Sequence, residues 1–135
     1  MKVLRSETMP LRLKDDIVLA RQLVRARAVE AEFSLVDQTR LVTAASELAR
    51  NTVDYGGGGT MTVELVQGEH GAIGLCLTYD DHGPGIPDVE QAMQDGYTTR
   101  GGLGLGLGGA RRLVNEFHIS SEPGVGTRVT VVRWR

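Results

Sequence analysis

A carboxylate and a carboxamide stand four residues apart in the sequence, as Glu47 and Asn51. In a helix, residues four apart lie on one face, one turn above the other. Asp54 follows near that face. A carboxylate and a carboxamide at this spacing can serve a hydrated Mg²⁺ and a nucleophile. Mg²⁺ takes few protein ligands and keeps its waters and the phosphates of a substrate. Taken alone, such a pair is more often part of a solvated helix face.

The second candidate is Asp81, which follows an apolar stretch and precedes two glycines, Gly83 and Gly85. A carboxylate at a strand end beside glycine lets a flat heterocycle approach the backbone and donate a hydrogen bond to an acceptor-only group. The amino group of adenine is a suitable donor. An ordinary Asp-Gly turn is the simpler alternative when this motif stands alone.

The third candidate is the glycine-rich segment 100–109, which runs into a helical pattern. Alternating glycines before a helix expose backbone N–H groups at the positive end of the helix dipole, where phosphate binds. The segment lacks the P-loop pattern, and it lies too near the C-terminus for a Rossmann fingerprint. The segment is therefore a candidate phosphate site.

Apolar periodicity predicts the elements that must position these residues. Apolar positions on the first helix recur at three- and four-residue spacing from Ile17 to Ala31, so that helix should bury one stripe. The second helix should bury the side that runs from Leu41 to Thr52. The predicted elements are an edge strand 3–13, helices 15–33 and 34–55, strands 61–66 and 72–79, helices 89–94 and 105–117, and strands 118–121 and 127–134. We therefore predict an α+β fold, a two-layer sandwich in which helices pack on one face of a mixed, mostly antiparallel sheet.

Length and charge restrict the function classes. A chain of 135 residues suffices for one domain, 1–135. The formal net charge of −2 argues against nucleic-acid or anionic-membrane binding driven by bulk charge. The single cysteine, Cys76, lies in an apolar run and is expected to be a buried strand residue. Without a long apolar stretch or a secretory signal, the expected location is the cytoplasm.

The order of the motifs is more specific than any one of them. An ExxxN pair on a helix precedes DxGxG after a strand, then a glycine-rich junction before a helix, and last the turn from Gly124 to Thr127. This order resembles the GHKL (Bergerat-fold) ATPases over residues 47–127. Within that superfamily, the strings SELARN, DGYTT, GGLGLGL and RRLVNEF look most like the RsbT-type serine/threonine switch kinases, a branch related to anti-sigma factors.

The resemblance implies a Bergerat-type sandwich that binds ATP with Mg²⁺. Asn51 would hold the Mg²⁺, and Glu47 would act as general base or orienting group for a serine or threonine hydroxyl of a partner protein. Asp81 would receive the adenine amino group, with Gly83 and Gly85 allowing close approach.

The resemblance also implies roles for the glycine-rich segment and for the turn that ends at Thr127. In the glycine-rich segment, the implied ligand-binding residues are Arg100, Gly102, Gly104, Leu105 and Gly106. Gly104 and Gly106 would present N–H groups to the phosphates, and Thr127 would support the adenine through water. In anti-sigma relatives, a basic residue near the glycine-rich segment that corresponds to 100–109 usually contacts the terminal phosphate. Gly102 stands at that place, so Arg100 is the nearest candidate.

The implied partners are those of partner-switching stress signalling. A STAS-domain protein would be the phosphorylated substrate, and a PP2C-type phosphatase would be activated afterwards. Two other functions stay open: an anti-sigma factor that binds a sigma subunit, and a non-catalytic module that uses its nucleotide state to choose partners. A homodimer and capture by a large scaffold are both compatible with the sequence.

Overall fold

A computed structural model describes residues 1–94 and 106–135 of the chain. In these residues, five strands form one sheet in the order β1-β2-β3-β5-β4. Each neighbouring pair is antiparallel, where a mixed, mostly antiparallel sheet is predicted from the sequence. The elements are β1 (Lys2–Leu11), α1 (Lys14–Glu30), α2 (Leu35–Arg50), a π-helical turn (Asn51–Tyr55), β2 (Gly59–Gln67), a 3₁₀ turn (Glu69–Gly71), β3 (Ile73–Asp81), α3 (Val89–Ala92), α4 (Gly106–Arg112), β4 (Glu116–Glu122) and β5 (Gly126–Trp134).

The core lies between the helices and one face of the sheet, as predicted. Ser34 begins α2, because its Oγ accepts a hydrogen bond from the Asp37 N–H at 3.2 Å. The apolar stripes of α1 and α2 are buried against the inward side chains of β2, β3 and β5; the members include Ile17, Ala20, Val24, Ala28, Leu41, Ala44, Ala45, Leu48, Met61, Val63, Leu75, Leu77 and Val131. This packing fixes α2 over the middle of the sheet.

The C-terminal part of the second predicted helix has π geometry. The Gly56 N–H donates to the Asn51 carbonyl at 2.9 Å, an i→i+5 bond, and the Thr52 hydroxyl donates back to the Leu48 carbonyl at 3.0 Å. The widened turn changes the angular position of every residue after Asn51. Hydrophobic periodicity cannot distinguish this turn from a continued α-helix.

The prediction of a helix over 105–117 is too long at its C-terminal end. Helix α4 ends at Arg112, and Glu116 already belongs to β4. The spacing of Leu113, Val114 and Phe117 suits a helix, but Phe117 pairs with β5 in the sheet register, and the Asn115 N–H donates to a β5 carbonyl at 2.9 Å. Strand pairing therefore overrides the local helical pattern.

Cys76 lies on the sheet face opposite the helices, where it is buried with Val66 and Val132 and packed by Trp134. Burial raises the pKa of its thiol, as expected for a structural rather than a reactive cysteine. In the described parts of the chain, no helix is long and apolar enough to cross a membrane.

Arg27 on α1 ties that helix to the edge strand β1. Its guanidinium donates to Glu7 through Nε and, at 3.1 Å, through Nη2, and it donates to Glu30 through Nη1 at 2.8 Å. The hydrogen bond with Arg27 is the main cause that lowers the pKa of Glu7 below its ordinary 4.5. The carboxylate form of Glu7 therefore stabilises the folded state.

Replacing Glu7 by Gln is expected to lower the free energy of unfolding near neutral pH by less than about 1 kcal/mol. A carboxyl whose folded pKa is depressed contributes stability above its unfolded pKa and loses it as the pH falls through the folded pKa. The difference between Glu7→Gln and wild type should therefore shrink between about pH 5 and about pH 3 in chemical denaturation. A difference in the free energy of unfolding that stays constant over this range would contradict the lowered pKa of Glu7.

Candidate functional site

A cavity of about 220 Å³ lies where α2 and the π-helical turn meet the end of β3. It is lined by residues from α2, the turn, β3, the following loop, α3, α4 and β5: Glu47, Leu48, Arg50, Asn51, Thr52, Tyr55, Tyr79, Asp81, Ile86, Pro87, Asp88, Gln91, Ala92, Gly106, Leu107, Thr127 and Val129. Five predicted site residues share this cavity, namely Glu47, Asn51, Asp81, Gly106 and Thr127.

Glu47 projects from the last turns of α2, and its side chain is only 3% exposed. Its Oε1 accepts a hydrogen bond from Nη1 of Arg50 at 3.3 Å, which partners this buried charge. Asn51 lines the cavity one turn further on, as the four-residue spacing predicted. Asp54 does not line the cavity, because the π turn displaces it from the face that Glu47 and Asn51 share.

Asp81 is held in place by the backbone around it. Its Oδ1 accepts hydrogen bonds from the N–H of Gly83 at 2.9 Å and of Thr127 at 3.3 Å. The Thr127 hydroxyl shares a hydrogen bond of 2.8 Å with the Ser121 hydroxyl, which also accepts from the Ile86 N–H at 2.7 Å. These contacts fix the orientation of the carboxylate. Its Oδ2 takes part in neither of the two hydrogen bonds from Gly83 and Thr127.

The glycines near Asp81 have steric roles within the protein. A Cβ at Gly56 would lie 2.4 Å from Cγ of Asp81, so this position needs glycine for the carboxylate to fit. A Cβ at Gly83 would lie 2.5 Å from the Gly56 carbonyl oxygen, and one at Gly85 would lie 2.4 Å from the Glu122 carbonyl oxygen. Neither Gly83 nor Gly85 lines the cavity. They allow the loop to pack closely, whereas close approach of a ligand was the role predicted from the sequence.

Two tyrosines missed by the sequence analysis also form the site. Tyr55 donates from its hydroxyl to the Gly85 carbonyl at 3.0 Å and thereby holds the loop after β3. Tyr79 donates to the Ala45 carbonyl at 3.2 Å, and burial raises the pKa of its hydroxyl. Strand alternation could have found Tyr79, because it lies on the same side of β3 as Asp81. Helical spacing could not have found Tyr55, because the π turn changes the angular position of the residues after Asn51.

The predicted phosphate-binding segment is described only in part. Arg100, Gly102, Gly104 and Leu105 lie outside the described residues. Gly106 is the first residue of α4, is buried and lines the cavity.

The described lining carries three carboxylates, Glu47, Asp81 and Asp88, and one guanidinium, Arg50. Within residues 1–94 and 106–135, no group of three or more His, Cys, Asp or Glu side chains could hold a metal ion. The side-chain oxygen of Asn51 fits Mg²⁺, which in phosphate-transfer sites is held by one or two protein groups and by the substrate phosphates.

Comparison with known proteins places the chain in a family. The family described as histidine kinase-, DNA gyrase B- and HSP90-like ATPases matches residues 36–135. The chain is 49% identical over 119 residues to the serine/threonine-protein kinase RsbT of Bacillus subtilis (strain 168), covering 88% of this chain and 89% of that protein. It is 31% identical over 121 residues to the anti-sigma F factor of Pasteuria penetrans, and the match covers 84% of this chain and 79% of that protein.

A solved structure shares the fold. The RsbU and RsbW domains of a Mycobacterium tuberculosis protein match with a TM-score of 0.63 and 20% identity, over 97% of this chain and 33% of that larger chain. The motif order, the cavity and these comparisons agree. The chain belongs to the histidine kinase-, DNA gyrase B- and HSP90-like ATPase family and, within it, to the branch of the serine/threonine-protein kinase RsbT.

Proposed function

We propose that this protein is an ATP-dependent serine/threonine protein kinase that phosphorylates a STAS-domain protein and, once released from it, activates a PP2C-type phosphatase. One observation carries the proposal: Glu47, Asn51 and Asp81 face a single cavity in a chain that is 49% identical to a named serine/threonine-protein kinase. The STAS-domain substrate and the phosphatase follow from the resemblance to RsbT-type switch kinases. Since such a kinase takes ATP from solution, the proposed location is the cytoplasm.

The predicted site residues of the cavity have separate roles in this proposal. Asp81 would accept a hydrogen bond from the adenine amino group, because its carboxylate is fixed by two backbone N–H groups and can only act as an acceptor. Thr127 would support the adenine through water. Asn51 would hold Mg²⁺ through its side-chain oxygen, near the phosphates and Gly106. Bound Mg²⁺ neutralises charge on the phosphate oxygens during transfer.

Glu47 is the proposed general base. It would accept the proton of a serine or threonine hydroxyl as the new bond forms between that oxygen and the terminal phosphorus. The bond from this phosphorus to its bridging oxygen breaks, and ADP leaves with the electron pair. The Glu47 side chain is only 3% exposed, so little water reaches it, which suits transfer to a hydroxyl over hydrolysis.

A second function is favoured by the 31% identity to an anti-sigma F factor. An anti-sigma factor would retain a sigma subunit in a pull-down with purified sigma subunits, whereas the proposed kinase would retain a STAS-domain protein. The third function, a non-catalytic module, would bind nucleotide and partner without transferring phosphate.

The test is transfer of labelled γ-phosphate from Mg-ATP to purified STAS-domain proteins encoded beside the gene. The proposal predicts labelling on serine or threonine that requires Mg²⁺ and stops on addition of a chelator. Binding of ATP with no labelling of these proteins would reject the kinase and favour the module, and sigma binding would favour the anti-sigma factor.

A further inference from the structure

Arg50 occupies the helical position between the proposed base and the proposed Mg²⁺ ligand. Its side chain lines the same cavity and is 26% exposed, whereas the Glu47 side chain is 3% exposed. The guanidinium is thus at the boundary between the buried carboxylate and the open part of the cavity. None of the motif roles given above uses it.

The pair formed by Arg50 and Glu47 is loose. In the described parts of the chain it consists of one hydrogen bond of 3.3 Å, from Nη1 to Oε1. Strong Arg–carboxylate pairs are often bidentate, with distances of about 2.7–2.9 Å. The same protein contains a tighter pair, Arg133 with Asp37 at 2.7 Å, that connects β5 to α2. The Arg50 guanidinium therefore keeps donors available for another acceptor.

The charge of the cavity indicates what that acceptor is. Against three carboxylates, Arg50 is the sole basic side chain in the described lining. Arg111 and Arg112, in the last turn of α4, are exposed and do not line the cavity. An entering triphosphate adds negative charge beside Glu47, and a planar guanidinium suits phosphate oxygens because it can donate two parallel hydrogen bonds.

We infer that Arg50 is a positioning residue with two alternative partners, the Glu47 carboxylate when no triphosphate is bound and the terminal phosphate when ATP is bound. This inference rests on the proposed function. The exchange brings positive charge to the phosphoryl group and frees Glu47 to accept the hydrogen bond of the substrate hydroxyl. Arg50 donates hydrogen bonds in both states and transfers no proton.

The test compares the binding of Mg-ATP and Mg-ADP by isothermal titration calorimetry, because only ATP has the terminal phosphate. Arg50→Gln keeps a donor for Glu47 but removes the charge, and Arg50→Ala is the second variant. Both are expected to bind ATP about 10- to 100-fold more weakly, the value of one charge-assisted contact, with ADP affinity close to wild type. Arg40→Ala is the matched control, because Arg40 is an exposed arginine of α2 that pairs with Asp37.

The ratio of ATP affinity to ADP affinity separates this role from a structural one. Loss of a structural residue would weaken the binding of both nucleotides alike. A wild-type ratio in folded Arg50→Gln or Arg50→Ala would overturn the inference and leave the proposed kinase intact. If Arg100→Ala lowers the ratio of ATP affinity to ADP affinity and Arg50→Gln leaves it at the wild-type value, the terminal phosphate is assigned to Arg100 instead. Wild-type protein that binds no ATP would reject the proposed function together with the inference.

Discussion

Glu47→Gln is expected to lower the rate of phosphate transfer to the partner protein by about 10²- to 10⁴-fold, the usual contribution of a general base. Gln has nearly the size of Glu, and its amide oxygen can still accept the hydrogen bond from Arg50. It cannot accept the proton of the substrate hydroxyl at neutral pH. The hydrogen bond of the Glu47 side chain is to Arg50 and not to Asp81 or Thr127 of the proposed adenine site, so Mg-ATP affinity should not fall.

Initial rates of γ-phosphate labelling measure this effect, and calorimetry measures the affinity. Glu64→Gln is the control, because Glu64 is opposite Cys76 on the sheet face away from the cavity. Transfer by Glu47→Gln at the wild-type rate would show that Glu47 does not take the proton. Equal losses of transfer and of ATP affinity would give it a binding role instead.

Asp81→Asn is expected to weaken ATP binding by at least about 10-fold and to leave the fold intact. The amide oxygen can still accept from the N–H groups of Gly83 and Thr127, so the local backbone is retained. The amide nitrogen then replaces Oδ2, and a donor faces the adenine amino group, which is also a donor. A site built to accept a hydrogen bond is damaged strongly when that acceptor is lost.

The neighbouring Asp80 gives a matched control. It lies on the opposite side of β3, its side chain is 40% exposed, and it pairs with Arg128 at 3.7 Å. Asp80→Asn should therefore bind ATP like wild type. Calorimetry with both variants tests the assignment, and thermal unfolding checks that Asp81→Asn is folded. Equal ATP affinity in Asp81→Asn and wild type would remove Asp81 from the nucleotide site.

The sequence predicted the parts of the fold that depend on apolar periodicity. The stripe from Ile17 to Ala28 and the one from Leu41 to Leu48 are buried as expected. The end of α4 was missed because Phe117 suits either a helix or a strand, and pairing with β5 decides between them. The π turn after Arg50 was missed because an i→i+5 bond leaves no pattern in residue types.

The candidate site residues that belong to the ordered motifs could be predicted from the sequence. Glu47, Asn51, Asp81 and Thr127 meet around one cavity, although they are spread over 81 residues of sequence, from 47 to 127. Arg50 was not singled out, because a lone arginine on a helix is usually a solvated surface residue. Its role depends on which way the side chain points, and that follows from tertiary packing.

The most direct test of the nucleotide site is a crystal structure of the protein with Mg²⁺ and a non-hydrolysable ATP analogue. We expect the adenine amino group at about 3 Å from Asp81 and the Mg²⁺ beside the Asn51 side chain. The terminal phosphate is expected on the side of Glu47 and Arg50. A nucleotide bound outside this cavity, or with its adenine away from Asp81, would show that the proposed nucleotide site is wrong.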